Sequence, residues 1–341
     1  MATPLQALAA LPRAGLTIGP TPLQPLQRLS AAVGHDLWVK RDDVGSVALA
    51  GNKIRKFDLV LGRALADGAH TLVTTGAAQS NSARAGAAAA ALTGMSCRLI
   101  LSGHPPAEPT GNLLLDGLLG ARIEFLGDAT WQDLDAAVAA AAQEPGTVAA
   151  PVGCSSPLGA LGFAAAFLEA ARQWPGTPAA IVHASSSLGT HAGLLVGRAL
   201  LNSPVRIIGI DVAAIHRNPS EAADAMARAA AALIGLDLPA PGADIRTGHL
   251  GPGYGIPDAR TAAAIDLLAR TEAVITDPVY SGKGAAGMLA IAPLIDGPVL
   301  WWHTGGYHAL FDPAHARALA RARTGERRPT PPGPTSPDHR R

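Results

Sequence analysis

Short apolar runs alternate with alanine-rich amphipathic stretches along most of this chain. Runs at 36–40, 71–75, 97–101, 122–126, 180–183, 206–211 and 299–302 are rich in aliphatic and β-branched residues and predict strands. Between them, 80–92, 131–142, 158–173, 191–201, 222–234 and 261–271 carry the longer period and the alanine content of helices. Several strand segments, Ala180-Ile181-Val182 among them, are apolar without alternation. That is expected where both faces of a sheet are covered. The alternation predicts an α/β protein of stacked strand–helix–strand units around parallel sheets.

The 341 residues allow two domains. Residues 51–162 hold three strand–helix repeats of their own, and Pro145-Gly146 and Pro151-Val152-Gly153 punctuate the exit. This stretch is expected to form a smaller inserted domain, with 1–50 and 163–323 building the larger one. Residues 324–341 are proline-rich and polar, which predicts a disordered tail.

Hydrophobic residues make up 48% of the chain and charged residues 16%, enough for a sizeable core. A net charge of +1 gives neither nucleic acid nor an anionic membrane a reason to bind. No apolar run is long enough to span a bilayer, and the first residues lack the basic start and apolar core of a signal peptide. Cys97 and Cys154 are the only cysteines, which argues against a disulfide scaffold and fits a reducing compartment. The eleven histidines and two cysteines show no metal-ligand spacing, so no metal site is expected. The expectation is a soluble cytoplasmic protein.

Candidate chemistry begins with lysine. Of 27 lysines and arginines only Lys40, Lys53, Lys56 and Lys283 are lysine. Lys53 follows a flexible Gly51-Asn52 step at the expected start of a helix. An amine can form a Schiff base, which a guanidinium cannot. Read locally, the same residue is equally a solvated charge.

Two strand-to-helix junctions offer ligand sites. Ala184-Ser185-Ser186-Ser187-Leu188-Gly189-Thr190-His191 aims N–H groups, hydroxyls and the positive end of a helix at one point, a ready site for phosphate. It matches neither nucleotide-binding fingerprint, and an ordinary turn with a serine cap is the alternative. Gln79-Ser80-Asn81 lies at the carboxyl end of another strand, where open α/β sheets place ligands. Ser80 or Asn81 is equally suited to cap the next helix. Tyr254 and Tyr280, two of only three tyrosines, sit in glycine-flanked loops, where a phenol can donate a proton or clamp a ligand. Thr304, before Gly305-Gly306, ends a strand where a ring could approach closely.

Arg41-Asp42-Asp43, Gly51-Asn52-Lys53-x-Arg55-Lys56, Gln79-Ser80-Asn81, Pro151-Val152-Gly153, Gly189-Thr190-His191-Ala192-Gly193, Pro252-Gly253-Tyr254-Gly255-Ile256-Pro257, Asp277-Pro278-Val279-Tyr280 and His303-Thr304-Gly305-Gly306 follow one another in this order. Together they resemble the family of D-cysteine desulfhydrases and 1-aminocyclopropane-1-carboxylate deaminases, which use pyridoxal 5'-phosphate. The resemblance implies a tryptophan-synthase-β-like, fold type II architecture: two open, mostly parallel twisted sheets flanked by helices, with the cofactor bound in the larger domain. It also implies a homodimer acting on a small amino acid.

By that resemblance Lys53 would hold the cofactor as a Schiff base and move the α-proton. Asn81 would bond the ring hydroxyl, and Ser187, Leu188, Gly189 and Thr190 would bind the phosphate. Ser80 would hold or act on the substrate, with Gln79 and Asn81 beside it. Tyr254 and Tyr280 would line the substrate side as further catalytic groups. Ser281, together with Thr304, would face the pyridine nitrogen, where the deaminases have a glutamate. A carboxylate keeps that nitrogen protonated and the ring a strong electron sink, whereas a hydroxyl need not.

Ser281 therefore argues for α,β-elimination, with D-cysteine giving pyruvate, sulfide and ammonia as the leading expectation. β-Replacement, racemisation, L-cysteate sulfo-lyase activity and 1-aminocyclopropane-1-carboxylate deamination are the alternatives, as is a non-catalytic ligand binder of the same fold. Ser82 and Ala85 depart from the family's His-x-Arg-Gln continuation. Ser186 and Leu188 replace smaller residues in the phosphate loop. These changes point to a shifted substrate.

Overall fold

Two mostly parallel sheets organise residues 2–16, 19–45, 47 and 51–325, the part of the chain that the computed structural model describes. The chain runs through α1 (Pro4–Ala9), β1 (Leu23–Pro25), α2 (Gln27–Val33), β2 (Leu37–Arg41), α3 (Lys53–Ala66), β3 (Thr71–Ala77) and α4 (Asn81–Thr93). It continues with β4 (Ser96–Ser102), α5 (Gly111–Leu118), β5 (Arg122–Phe125), α6 (Trp131–Ala141), β6 (Thr147–Ala150), α7 (Pro157–Gln173), β7 (Ala180–Ser185) and α8 (Gly189–Leu200). Last come β8 (Arg206–Asp211), α9 (Pro219–Leu233), β9 (Asp244–Arg246), α10 (Ala259–Glu272), α11 (Ser281–Ile291), β10 (Val299–His303) and α12 (Pro313–Thr324).

The six-stranded sheet has the order β1-β2-β10-β7-β8-β9, and only its β1–β2 edge pair is antiparallel. The four-stranded sheet, β5-β4-β3-β6, is wholly parallel. Each strand and helix expected from the pattern is present, within a few residues at its ends. The pattern did not reveal β1, β6 and β9, which are edge strands of three or four residues. Helix α12 runs through Thr324, the first residue of the expected disordered tail. Residues 326–341 of that tail lie outside the described residues.

Strand β10 shows why unbroken apolar runs mark this fold. Leu300 and Trp302 pack into a core with Phe163 of α7 and Leu194 of α8. Val299 and Trp301 enter a separate core on the other face, with Met288 of α11 and Leu268 of α10. Successive side chains point to opposite faces, so a strand covered on both is apolar over most of its length rather than at alternate positions.

A buried ion network fixes the start of α3. Arg55 donates from Nη2 to Asp42 Oδ1 at 2.8 Å and from Nη1 to Glu169 Oε2 at 2.9 Å. Lys40 reaches Glu169 Oε1 at 2.5 Å, and Trp302 Nε1 donates to Asp42 Oδ2 at 2.8 Å. Burial opposes ionisation of Glu169, but Arg55 and then Lys40 overcome it and bring the carboxyl down to about 2. Glu169→Gln is expected to cost about 2–3 kcal/mol of stability at neutral pH, since it leaves buried cations short of a partner. A carboxyl depressed on folding stabilises fully above its ordinary value of 4.5 and stops doing so near 2. Urea unfolding should therefore show the gap between wild type and mutant closing as pH falls through that window. A gap independent of pH would remove the ionic account.

Candidate active site

The carboxyl ends of β3, β7 and β10 and the start of α3 converge on one pocket, the usual ligand position in open α/β sheets. Lys53, the first residue of α3, opens into it. A close backbone crossing sets its place. Asn52 N–H donates to the Thr304 carbonyl at 3.0 Å, and a Cβ on Gly305 would stand 2.9 Å from Gly51 Cα. Gly51 and Gly305 take φ of +107° and +88°, which side-chain-bearing residues adopt only with strain. Asn52 Nδ2 also donates to Thr190 Oγ1 at 3.0 Å, joining α3 to α8.

Lys56 also lines the pocket, and the motif reading gave it no role. It lies three positions after Lys53, hence on the same helix face, and is 1% exposed. Its Nζ donates to Ser155 Oγ at 2.9 Å and to the Gly153 carbonyl at 3.2 Å. Ser155 Oγ in turn meets Ser187 Oγ at 2.8 Å and accepts from Gly189 N–H at 3.3 Å. The amine is thus tied to the Ser187–Thr190 loop, and the rarity of lysine together with the three-residue spacing was its signal in the sequence.

Helix α8 starts at Gly189 with no side-chain cap, behind Ser186, Ser187, Leu188 and Thr190 in the pocket wall. Gly189 N–H is taken by the Ser187 carbonyl and Ser155 Oγ, but the next N–H groups, of Thr190 and His191, and the positive end of the helix remain available to an anion. Leu188 takes φ +65°, a strain of about 1 kcal/mol. Its side chain offsets that by packing with Ala223 and Ile245. The bulkier residue therefore leaves the backbone donors in place.

Ser80 caps α4, its Oγ accepting from Ser82 and Ala83 N–H at 3.2 Å each, and it also lines the pocket. Asn81 and Ser82 line the pocket with it. Gln79 does not. Its Oε1 accepts from Asn112 N–H at 2.8 Å and its Nε2 donates to the Thr110 carbonyl at 2.9 Å, so the amide braces α5. Tyr254 and Tyr280 lie in the wall and hydrogen-bond to each other through their hydroxyls. Trp131 packs edge-on against Tyr254 with ring centres 5.6 Å apart and lines the pocket as well. A Thr130–Asp133 capping box marked its helix start in the sequence, but not the direction of the ring.

Thr304 is part of the wall, whereas Ser281 is 1% exposed and outside it. Ser281 Oγ donates to Asp277 Oδ2 at 2.5 Å and accepts from Asp277 N–H at 2.9 Å. Its hydroxyl is thus occupied by Asp277, which also accepts the Val279, Tyr280 and Ser281 N–H groups at the start of α11.

No aspartate or glutamate lines the pocket among the described residues. Burial pushes the Lys53 amine down to about 8. Burial, then the charge of Lys53, pushes Lys56 well below its ordinary value. Burial raises the Cys154 thiol to about 12 against the pull of Lys56 and Lys53, so it stays protonated. Tyr254 is lifted to about 12 by burial, and Tyr280 is raised further by burial and by Tyr254. Both phenols keep their protons at neutral pH.

The buried hydroxyls of Ser82 and Ser185 have no hydrogen-bond partner among the described residues. Two desolvated amines, an uncapped helix start and spare hydroxyls call for an anionic ligand rich in acceptors. Pyridoxal phosphate fits that set: Lys56 and the α8 start suit its phosphate, and the Lys53 amine suits its aldehyde. No group of three or more His, Cys, Asp or Glu could hold a metal ion among the described residues, and no helix there is long and apolar enough to cross a membrane.

The sequence profile of the pyridoxal-phosphate dependent enzyme family matches residues 15–305. A D-cysteine desulfhydrase of Serratia proteamaculans is 40% identical over 321 residues, covering 90% of this chain and 97% of that protein. A 1-aminocyclopropane-1-carboxylate deaminase of Burkholderia vietnamiensis is 39% identical over 328 residues, covering 89% and 96%. A solved structure described as an ACC deaminase homologue is similar with a TM-score of 0.85 at 31% identity, covering 94% of this chain and 99% of that one. The chain therefore belongs to the pyridoxal-phosphate dependent enzyme family, as a fold type II lyase of the D-cysteine desulfhydrase and 1-aminocyclopropane-1-carboxylate deaminase type.

Proposed function

We propose that the enzyme carries out α,β-elimination on a small amino acid with a β-leaving group, and that D-cysteine is its preferred substrate. When bound, pyridoxal phosphate supplies an electron sink for charge developing at the α-carbon. The observation that carries the reading is the absence of any carboxylate from the pocket lining among the described residues; Ser281, which the resemblance sets against the deaminases' glutamate, is a hydroxyl turned to Asp277 outside the wall. Without a carboxylate the ring nitrogen is not held protonated, and the sink is the weaker one. That suits α-proton loss followed by prompt departure of sulfide, and it suits cyclopropane opening poorly.

The chain's own groups divide the remaining work. Lys53 Nζ, with its pKa brought down to about 8, takes the α-proton as a base poised near neutral pH. Lys56 and the Ser187–Thr190 loop hold the phosphate end. The Ser80 hydroxyl and the Asn81 backbone N–H at the start of α4 receive the substrate carboxylate, and the Asn81 side-chain amide meets the cofactor's ring oxygen. The Tyr254–Tyr280 pair, protonated at neutral pH, gives a hydrogen bond or proton to the departing group. We read residues 51–162 as a smaller inserted domain and the protein as a cytoplasmic homodimer; the two free, buried cysteines are consistent with that compartment.

Cofactor-loaded protein should release pyruvate, sulfide and ammonia from D-cysteine faster than it forms a four-carbon keto acid from 1-aminocyclopropane-1-carboxylate. The opposite order would make it a deaminase. Solvent deuterium uptake at the α-carbon without pyruvate would make it a racemase.

A further inference from the structure

Behind the pocket, a chain of side-chain amides ends on an arginine. Arg84 Nε donates to Asn112 Oδ1 at 3.0 Å. Asn112 Nδ2 donates to Asn81 Oδ1 and to the Gln79 carbonyl, each at 2.9 Å. Asn112 is 0% exposed and Arg84 1%, so water does not compete for these bonds. Burial brings Arg84 down only to about 10, which leaves it a cation at neutral pH.

An asparagine amide can in general present either end, but here its neighbours decide. A guanidinium only donates and a backbone carbonyl only accepts. The Asn112 oxygen must therefore face Arg84, and its NH2 must face Gln79 and Asn81. Asn81 is then compelled to turn its own oxygen to Asn112. Its NH2 is left on the other side, 3.0 Å from where a Cβ on Gly306 would stand. The Asp277 carboxylate near that point is already taken up by three N–H groups and the Ser281 hydroxyl. The Asn81 donor is free for the pocket that Asn81 lines.

We infer that Asn112, oriented by Arg84, is a positioning residue that fixes Asn81 as a hydrogen-bond donor to the ring oxygen of the bound cofactor. The inference rests on the assignment of Asn81 to that oxygen. A donor there favours the ionised oxygen and the visible-absorbing form of the bound cofactor, whereas an acceptor favours the protonated oxygen and near-ultraviolet absorption.

Asn112→Asp tests this by inverting polarity without changing shape. Both aspartate oxygens accept, so Arg84 keeps its partner while Asn81 must turn its NH2 away from the pocket. The expected result is a shift of the bound cofactor from visible to near-ultraviolet absorption. Cofactor affinity should fall about tenfold or more, the scale of one hydrogen bond to a charged group. Asn81→Ala is the reference and should show the same spectral shift.

An unshifted Asn112→Asp spectrum beside a shifted Asn81→Ala spectrum overturns the positioning role. An unshifted Asn81→Ala spectrum removes the Asn81 contact and the inference with it, while leaving the elimination chemistry to the D-cysteine assay. If Asn112→Asp does not fold, neutron diffraction from the wild-type holoenzyme decides. Deuterium on the pocket side of the Asn81 amide supports the inference, and an oxygen there overturns it.

Discussion

Lys53→Ala is expected to lower turnover of D-cysteine, the proposed substrate, by on the order of 10⁴-fold or more, because in the proposed mechanism one amine both joins the cofactor and moves the α-proton. The cofactor should still bind without a covalent link, since Lys56 and the α8 start are untouched. It should then be lost on dialysis, while wild type retains it. The amine must be neutral to attack an aldehyde, and burial places its pKa at about 8. Cofactor capture by the wild-type apo-enzyme should therefore accelerate as pH rises through that value and level off above it. Turnover by Lys53→Ala comparable to wild type would end the assignment, and a pH-independent capture rate would end the account of the amine.

Lys56→Met should weaken the cofactor by about 10- to 100-fold, as expected when a charged hydrogen-bond donor to phosphate is removed. Its effect on the apo-protein has the opposite sign. Lys56 is fully desolvated, burial and then the like charge of Lys53 push its pKa well down, and the neighbouring Cys154 thiol stays protonated and offers it no counter-charge. A lysine whose pKa falls on folding destabilises the protein at pH values below its ordinary 10.5. A methionine of similar shape is relieved of that cost, so the apo-mutant should melt higher than apo wild type, by on the order of 1 kcal/mol. The cofactor should then raise the melting temperature of wild type more than that of the mutant. Equal cofactor affinity in the two proteins would remove Lys56 from the phosphate site.

The alternating strands and helices were readable because a segment's hydrophobic period reports which faces are covered. Strand β10, apolar from Val299 to Trp302, is buried on both faces as that reading requires. Helix α11 was missed because three glycines interrupt its sequence. In the structure those glycines admit close neighbours: a Cβ on Gly284 would stand 2.7 Å from Ala184, and one on Gly287 would stand 2.6 Å from Ile210. Packing against the sheet outweighed weak local propensity.

By itself the sequence determined the α/β class, the ordered motifs that mark the family, and the placing of an uncommon lysine at a helix start. These depend on backbone periodicity and on residue types within a few positions of one another. The tertiary structure alone decided which side chains face the pocket. Gln79 is drawn away by Asn112, 33 residues on, and Ser281 is turned to Asp277 at the start of its own helix. Lys56 is held at the α8 loop by Ser155, 99 residues distant, and Trp131 meets Tyr254 across more than a hundred residues. A polar side chain at a strand end or helix start has several local partners of similar energy, so the distant group that the fold brings within hydrogen-bonding reach determines its direction.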